Sequence, residues 1–142
     1  MRSLLDVNVL IALLDSDHAS HRDAVAWFRE HAEEGWASCP ITENGCVRIM
    51  SHPSYPNSHS VLEIVTRLRA ATEHGSHEFW ADDQSVLDDK LIDASRVHGA
   101  RQLTDVYLLA LAVKHRGRLV TFDASISIGA VKGARREHLV GL

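Results

Sequence analysis

The chain has 142 residues, a mass of 15.8 kDa and a formal net charge of −4 at pH 7. A chain of this length suits one domain, because about two thirds of its surface can be buried on folding. No apolar stretch reaches the roughly 20 residues of a membrane span, and no signal-peptide core precedes Asp6. The sequence therefore predicts a single domain over residues 1–142, without a membrane segment and located in the cytoplasm.

Short strands alternate with longer helices along the chain, which predicts an α/β fold with a mainly parallel sheet covered on both sides. In the first half we expect a strand at residues 2–5, a short buried helix at 7–14 and a strand at 36–39. Ser20, followed by Asp23, has the spacing of a helix capping box, and Gly35 ends that helix. Pro40 opens the next helix, which His52 and Pro53 stop.

The second half continues this alternation after a loop at residues 51–57. Ser60 and Glu63 form a second predicted capping box. The helix that they open has apolar residues at helical spacing and ends before Gly75: Leu62, Val65, Leu68 and Ala71. Beyond it we predict strands around 78–80, at 119–122 and at 138–140. Helices are predicted at 88–98, ended by Gly99, and at 108–115, ended by Gly117.

Four acids stand at the edges of these elements. Asp6 and Asp123 each follow a strand, while Glu43 and Asp105 fall in the first or second turn of a helix. In open α/β sheets the carboxyl ends of the strands and the helix N-termini face one crevice, where ligands bind. Each acid alone could instead be a turn former or a partner of the helix dipole. Two strands near opposite termini that both end in Asp favour a joint site.

Carboxylate oxygens without Cys or His beside them select Mg²⁺ or Mn²⁺ over zinc. Asp6 and Asp123 are the expected direct ligands, with Glu43 and Asp105 completing the shell or binding through water. The net charge of −4 opposes a nucleic-acid partner, since phosphate binding depends on Lys and Arg. Setting aside these four acids leaves a neutral remainder, so the objection largely disappears once metal is bound.

The chain resembles PIN-domain ribonucleases, and more narrowly the VapC-type toxins of VapBC toxin-antitoxin systems. The resemblance rests on Asp6-Val7-Asn8, Glu43-Asn44-Gly45-Cys46-Val47-Arg48, Thr104-Asp105 with Leu109-Ala110-Leu111-Ala112, and Thr121-Phe122-Asp123. It implies a PIN-like three-layer α/β/α fold, with Asp6, Glu43, Asp105 and Asp123 at the four acidic positions. It also implies hydrolysis of RNA phosphodiester bonds by metal-activated water, leaving a 5′-phosphate and a 3′-hydroxyl.

Further expectations follow from the same resemblance. Asn8, Thr104 and Thr121 match polar positions next to the acids, although Thr104 could simply cap a helix. The implied partners are a structured RNA of the tRNA or rRNA class, a small VapB-type antitoxin and a second copy of the chain. The apolar helices starting near Asn8 and Ser60 offer a dimer interface. The candidate RNA contacts are chosen by their position in the sequence: Arg48 lies near Glu43, and Lys132, Arg135 and Arg136 follow the strand of Asp123 by a short segment.

Two other functions compete with this interpretation. The ten histidines include the pairs His18/His21 and His74/His77, whose i,i+3 spacing would share one face of a helix. Such pairs could bind a transition metal or act as acid and base, but none shares a segment with the four acids. A PIN-like fold could also serve as a non-enzymatic interaction domain, because fold alone does not establish activity. Cys39 and Cys46 lack zinc spacing and are expected to be buried thiols.

Overall fold

The computed structural model describes residues 1–142, and a five-stranded parallel sheet lies at its centre. The strands are β1 (Ser3–Leu5), β2 (Trp36–Ser38), β3 (His77–Phe79), β4 (Arg118–Thr121) and β5 (Leu139–Gly141), in the spatial order β3-β2-β1-β4-β5. Because β1 occupies the middle, the residue that follows it is flanked by the ends of β2 and β4. Asp6 is that residue.

Helices cover both faces of the sheet, which confirms the predicted three-layer α/β/α fold. They are α1 (Val7–Leu14), α2 (His21–Glu30), α3 (Pro40–Met50), α4 (Val61–Glu73) and α5 (Leu103–Lys114). One apolar cluster joins Leu5 and Val120 to α1, α3 and α4, and the other joins Leu4 and Leu119 to α5. Neighbouring residues of a strand point to opposite faces, so β1, β2 and β4 each contribute to both clusters.

Several local predictions are confirmed. The strand bounds agree to within one residue at each end, and α1 has the predicted range. Ser60 accepts a hydrogen bond from the Glu63 N–H at 3.1 Å while Glu63 accepts one from the Ser60 N–H at 2.9 Å, which completes the capping box. Cys39 and Cys46 are both fully buried.

No helix combines the length and the apolar character that crossing a membrane demands.

The predicted helix at 88–98 is wrong. This segment consists of turns with one short 3₁₀ helix, Ala94–Arg96. Its backbone pairs with another loop instead of with itself: the Asp93 N–H donates to Ala130, and Leu91 accepts from the Lys132 N–H. The Asp93 carboxylate also accepts from the Ser95 backbone at 3.1 Å. Side chains that bond to nearby backbone in this way favour turns over helix.

Three smaller predictions also need correction. Ser20 makes no side-chain capping bond, so the first proposed capping box does not form. The buried face of α4 consists of Ile64 and Leu68, whereas Leu62 is 72% exposed. The helix predicted at 108–115 begins five residues earlier, at Leu103, after the cap residue Gln102. Thr104 therefore lies inside the first turn and does not cap the helix.

Candidate active site

The carboxyl edge of the sheet gathers three of the four predicted acids. Asp6 follows β1, Asp123 follows β4 by two residues, and Asp105 lies in the first turn of α5. Burial is the main cause that raises the pKa of Asp6 and of Asp105; the charge of Asp123 adds to it at Asp6, and the charges of Asp6 and Asp123 add to it at Asp105. The three carboxylates therefore form one anionic site.

Asp6 is the most constrained of these acids. It is 7% exposed and caps α1, accepting a hydrogen bond from the Val7 N–H at 2.7 Å. Its other oxygen accepts from the Thr121 hydroxyl at 2.7 Å. Burial raises the pKa of Asp6, against the lowering effect of these two bonds. The side chain is thus fixed in place, but its charge is not fully compensated.

Thr121 and Asn8 tie the strand ends together. Thr121 is fully buried, and its hydroxyl accepts from the Asn8 amide at 3.2 Å and from the Asp123 N–H at 3.0 Å while donating to Asp6. The Asn8 carbonyl accepts from the Phe122 N–H at 3.3 Å. These bonds hold the turn that carries Asp123 against the start of α1. Thr104, in contrast, makes no side-chain hydrogen bond, although it lines the same cavity as Asp105.

Asp123 is exposed and held by a local turn. Its carboxylate accepts from the Ser125 N–H at 3.1 Å and from the Ser125 hydroxyl at 2.6 Å. These two bonds lower the pKa of Asp123. Asp123 therefore keeps its negative charge over a wider pH range than Asp105.

A cavity of about 710 Å³ opens beside these acids, between α1 and α3, and its lining includes Asp6, Asp105, Asn8 and Arg48. Helix α3 can approach α1 closely because residue 45 is glycine: a Cβ there would lie 2.7 Å from a Val7 methyl carbon. A glycine within a helix often marks such close packing, so Gly45 is a signal for it that the sequence contains.

Glu43 is the acid that the structure separates from the other three. It lies in the first turn of α3, but its carboxylate accepts a hydrogen bond from the Ser38 hydroxyl at 2.6 Å. The same hydroxyl lies 2.8 Å from the His77 Nε2. Glu43 lines a neighbouring cavity of about 550 Å³ with Arg69, not the cavity of Asp6 and Asp105.

The donor set suits a hard divalent cation. The acids that share a site offer only carboxylate oxygens, and no His or Cys lines their cavity. No three His, Cys, Asp or Glu side chains are grouped closely enough to hold an ion between them. Mg²⁺ typically keeps several of its waters and takes only one or two carboxylates directly, so this spacing fits a hydrated ion. Asp6, Asp105 and Asp123 are the residues that would hold it.

The candidate RNA contacts fall in two places. Arg48 is exposed and lines the acidic cavity. Arg135 and Arg136 lie four and three residues before β5, which runs parallel to β4, so they lie at the opposite edge of the sheet from Asp123. Lys132 lines a separate cavity with Asp89 and Asp93. The structure thus brings one of the four basic residues to the acids.

The histidine pairs do not form shared sites. His18 accepts from the Ser20 N–H and His21 contacts the Ala12 carbonyl, so both use a ring nitrogen on the backbone. His74 follows the end of α4, whereas His77 begins β3, so this pair does not share a helix face. The alternative of a histidine-based metal protein is therefore not supported by the geometry.

Sequence reasoning missed Ser38 and Ser125, and it considered His77 only as a possible partner of His74. Ser38 ends β2, and the strand-end reasoning that selected Asp6 applied to it equally. Ser125 follows Asp123 by two residues, a spacing typical of a turn closed by an aspartate side chain. His77 gave no local signal, because its partner Ser38 is 39 residues away in sequence.

Asp105 provides a stability prediction. Burial, and then the charges of Asp6 and Asp123, raise its pKa from an ordinary value of 3.8 to about 6. Folding therefore favours the protonated form of Asp105. The stability that protonated Asp105 gives to the folded state is fully present below pH 3.8 and is lost as the pH rises through about 6. In EDTA at pH 7.5 we expect Asp105→Asn to be about 1–2 kcal/mol more stable than the parent, allowing for solvent screening.

Urea denaturation between pH 4 and 8 measures this difference. The stability gained by Asp105→Asn should shrink toward acid pH. Carboxylates whose pKa is lowered, such as Asp123, affect variant and parent alike, so the difference between the two proteins does not contain their contribution. An equal stability difference at all pH values would show that Asp105 is not in the anionic site.

Comparison with known proteins agrees with this fold. Residues 3–131 match the PIN domain family. Ribonuclease VapC44 of Mycobacterium tuberculosis is 56% identical over 142 residues, covering all of both chains. Ribonuclease VapC39 of the same organism is 42% identical over 134 residues, covering 94% of this chain and 96% of that protein.

Among solved structures, the crystal structure of VapBC2 from Rickettsia felis bound to a DNA fragment from its promoter matches with a TM-score of 0.60. The alignment covers 100% of this chain and 99% of that one at 14% sequence identity, so it supports the fold alone. The full-length identity to two ribonucleases supports a narrower assignment. The chain belongs to the PIN-domain family and, within it, to the VapC ribonucleases.

Proposed function

We propose that this chain is an endoribonuclease toxin that hydrolyses RNA phosphodiester bonds in the cytoplasm with the help of Mg²⁺ or Mn²⁺. The observation that carries the proposal is the convergence of Asp6, Asp105 and Asp123, in which the pKa values of Asp6 and Asp105 are raised in part by neighbouring carboxylates. Carboxylates that repel one another in this way gain most from a shared cation. A non-enzymatic interaction domain would have no use for such a site.

The cation, when bound, would polarise a phosphoryl oxygen and lower the pKa of a water molecule. The residues of the chain supply its surroundings. Thr121 and the Val7 N–H hold the two oxygens of Asp6, and Ser125 holds Asp123. Glu43 lines the neighbouring cavity, so we propose that it completes the site through a water molecule and not by direct contact with the cation.

Arg48 is the proposed phosphate contact. It lines the acidic cavity and also a second cavity, which His52 and Tyr55 line as well. A guanidinium can bind a phosphate with two parallel hydrogen bonds, which would orient the backbone next to the acids. Recognition of a structured RNA, such as a tRNA or rRNA, would depend on surface shape and on contacts to unpaired bases.

A cleavage assay on total cellular RNA tests the proposal directly. We expect discrete products with a 5′-phosphate in Mg²⁺ or Mn²⁺, no cleavage in EDTA, and weak support by Zn²⁺. Mapping of the 5′ ends identifies the RNA. Full activity in EDTA would refute the metal-dependent mechanism, and absence of cleavage in every cellular RNA would favour the non-enzymatic alternative.

A VapB-type antitoxin is the proposed protein partner. Apolar side chains stand around the acids on the wall of the same cavity, namely Val7, Ile11, Ile41 and Ile49. A peptide segment with apolar residues around one Arg or Lys would match this arrangement. Its basic side chain would bond to the carboxylates and take the place of the cation, which would inhibit the enzyme directly.

A homodimer is also proposed, with α4 as its proposed interface. Four of the eight residues of α1 are buried in the core of the chain itself, whereas α4 exposes Val61 at 58% and Leu62 at 72%. We expect sedimentation at micromolar concentration to show a dimer, and Leu62→Lys to shift it toward monomer. The matched change Leu87→Lys, at a residue that is 89% exposed on another segment, should leave the dimer intact. A monomeric parent chain would contradict this.

A further inference from the structure

A polar chain of three residues connects β3 to α3 on the side of the sheet that carries α1. The His77 Nε2 lies 2.8 Å from the Ser38 hydroxyl, and that hydroxyl donates to the Glu43 carboxylate at 2.6 Å. Ser38 is fully buried at the end of β2, and Glu43 lies in the first turn of α3. No other side chain donates a hydrogen bond to the Glu43 carboxylate.

Counting protons fixes the direction of both bonds. A serine hydroxyl has one hydrogen, and here it points to Glu43. The His77 Nε2 must therefore carry a hydrogen and donate to Ser38. A neutral imidazole with its proton on Nε2 meets this requirement, and so does the protonated ring.

The surroundings hold His77 in the position to donate. β2 and β3 pair so that Trp36 lies opposite His77, and their rings are 4.4 Å apart between centroids. Trp36 and Ser38 are two residues apart on one strand, so their side chains share a face of the sheet. Burial lowers the pKa of His77, which favours the neutral ring, while the neighbouring Glu43, Arg2 and Glu78 act on it in opposing directions.

We propose that Ser38 and His77 are positioning residues for Glu43, holding one carboxylate oxygen so that the other is free to face the active site. This inference rests on the proposed function, in which Glu43 acts with Asp6, Asp105 and Asp123. Glu43 lies apart from those acids, so its carboxylate needs hydrogen-bond partners that keep it in position. Pro40 and Asn44 line both its cavity and theirs, which places Glu43 at the wall between the two.

Three variants separate the hydrogen bond from the packing of the ring. His77→Phe keeps an aromatic ring beside Trp36 but has no donor. His77→Gln places an amide N–H where Nε2 stood, and Ser38→Ala removes the middle hydroxyl. Loss of partners that orient a metal-binding group typically costs 10–100-fold in metal affinity or activity. We expect His77→Phe and Ser38→Ala to weaken Mn²⁺ binding by about that factor, and His77→Gln to recover most of it.

The matched controls are His74→Phe and His74→Gln. His74 is exposed three residues away and makes no side-chain hydrogen bond, so both changes should leave Mn²⁺ binding and cleavage at the parental level. Mn²⁺ affinity is measured without RNA by electron paramagnetic resonance. Cleavage is then measured as a function of Mg²⁺ concentration, and His77→Phe and Ser38→Ala should need more Mg²⁺ than the parent. Thermal unfolding confirms that each variant is folded; if His77→Phe does not fold, Ser38→Ala answers the same question.

A spectroscopic readout tests the proton assignment independently of activity. The ¹⁵N chemical shifts of His77 at pH 8 should show a protonated Nε2 and an unprotonated Nδ1, and Ser38→Ala should change the Nε2 signal. Parental Mn²⁺ affinity in His77→Phe, or an equal defect in His77→Gln and His77→Phe, would overturn the inference. If the parent binds Mn²⁺ through this site but cleaves no RNA, the proposed function fails while the positioning role stands.

Discussion

Replacing Asp6 by Asn is expected to reduce RNA cleavage by about a thousandfold or more, since the site loses its best-anchored negative charge. The change is conservative in shape. The Asn carbonyl can still accept the Val7 N–H and cap α1, which Asp6 does at 2.7 Å. The loss of cleavage should therefore reflect lost charge and not a lost fold. The measurement is the initial rate on a mapped RNA substrate in saturating Mg²⁺.

The stability of the same variant provides its control. Burial raises the pKa of Asp6, so the ionised side chain disfavours the folded state at neutral pH, and a neutral Asn relieves that effect. The lost acceptor for the Thr121 hydroxyl works in the opposite direction. We expect Asp6→Asn to be at least as stable as the parent in EDTA. Asp6→Ala, which removes the cap, should be about 1 kcal/mol less stable than Asp6→Asn.

A matched surface variant, Asp89→Asn, completes this set. Asp89 is exposed and lines a different cavity with Lys132, so its loss should leave cleavage unchanged. If Asp6→Asn cleaved RNA at the parental rate with metal present, the assigned role of Asp6 would be wrong.

The sequence was informative wherever a pattern is local and periodic. Strands ending in Asp, such as the one before Asp6, could be recognised because apolar runs and a following acid are both visible within a few residues. Parallel β topology then dictated that such acids meet at one edge. Glu63 could be assigned as a capping partner of Ser60 for the same reason, since both bonds form within one turn.

The sequence was uninformative where distant segments decide the structure. Residues 88–98 have helical composition, but the pairing of Leu91 and Asp93 with residues near Ala130 supplies their backbone bonds instead. Glu43 lies in the first turn of α3, in agreement with the predicted first or second turn. Its partner His77, however, reaches it through a strand pairing that no local pattern encodes. The direction of a side chain at the sheet edge depends on such long-range bonds.

Expression of this chain alone is expected to arrest bacterial growth, and the Asp6→Asn variant is expected to be harmless at the same protein level. The reason is the proposed function: if the chain needs only Mg²⁺, which the cell supplies, it would act on cellular RNA as soon as it folds. Growth curves and colony counts after induction measure the effect, with immunoblots to match expression. Co-expression of the small protein encoded beside the chain should restore growth.

The mode of neutralisation can be tested on the same pair. We consider the case in which a basic side chain of the antitoxin bonds to Asp6, Asp105 or Asp123. Replacing that side chain by Ala should then reduce inhibition more strongly than it reduces binding. The reason is that the apolar contacts with residues such as Ile41 and Ile49 remain. Titrating Mg²⁺ should relieve inhibition by the intact antitoxin, since both compete for one negative potential. If the parent chain proved harmless despite soluble expression, and the purified protein cut no cellular RNA, the toxin function would be abandoned in favour of a non-enzymatic interaction domain.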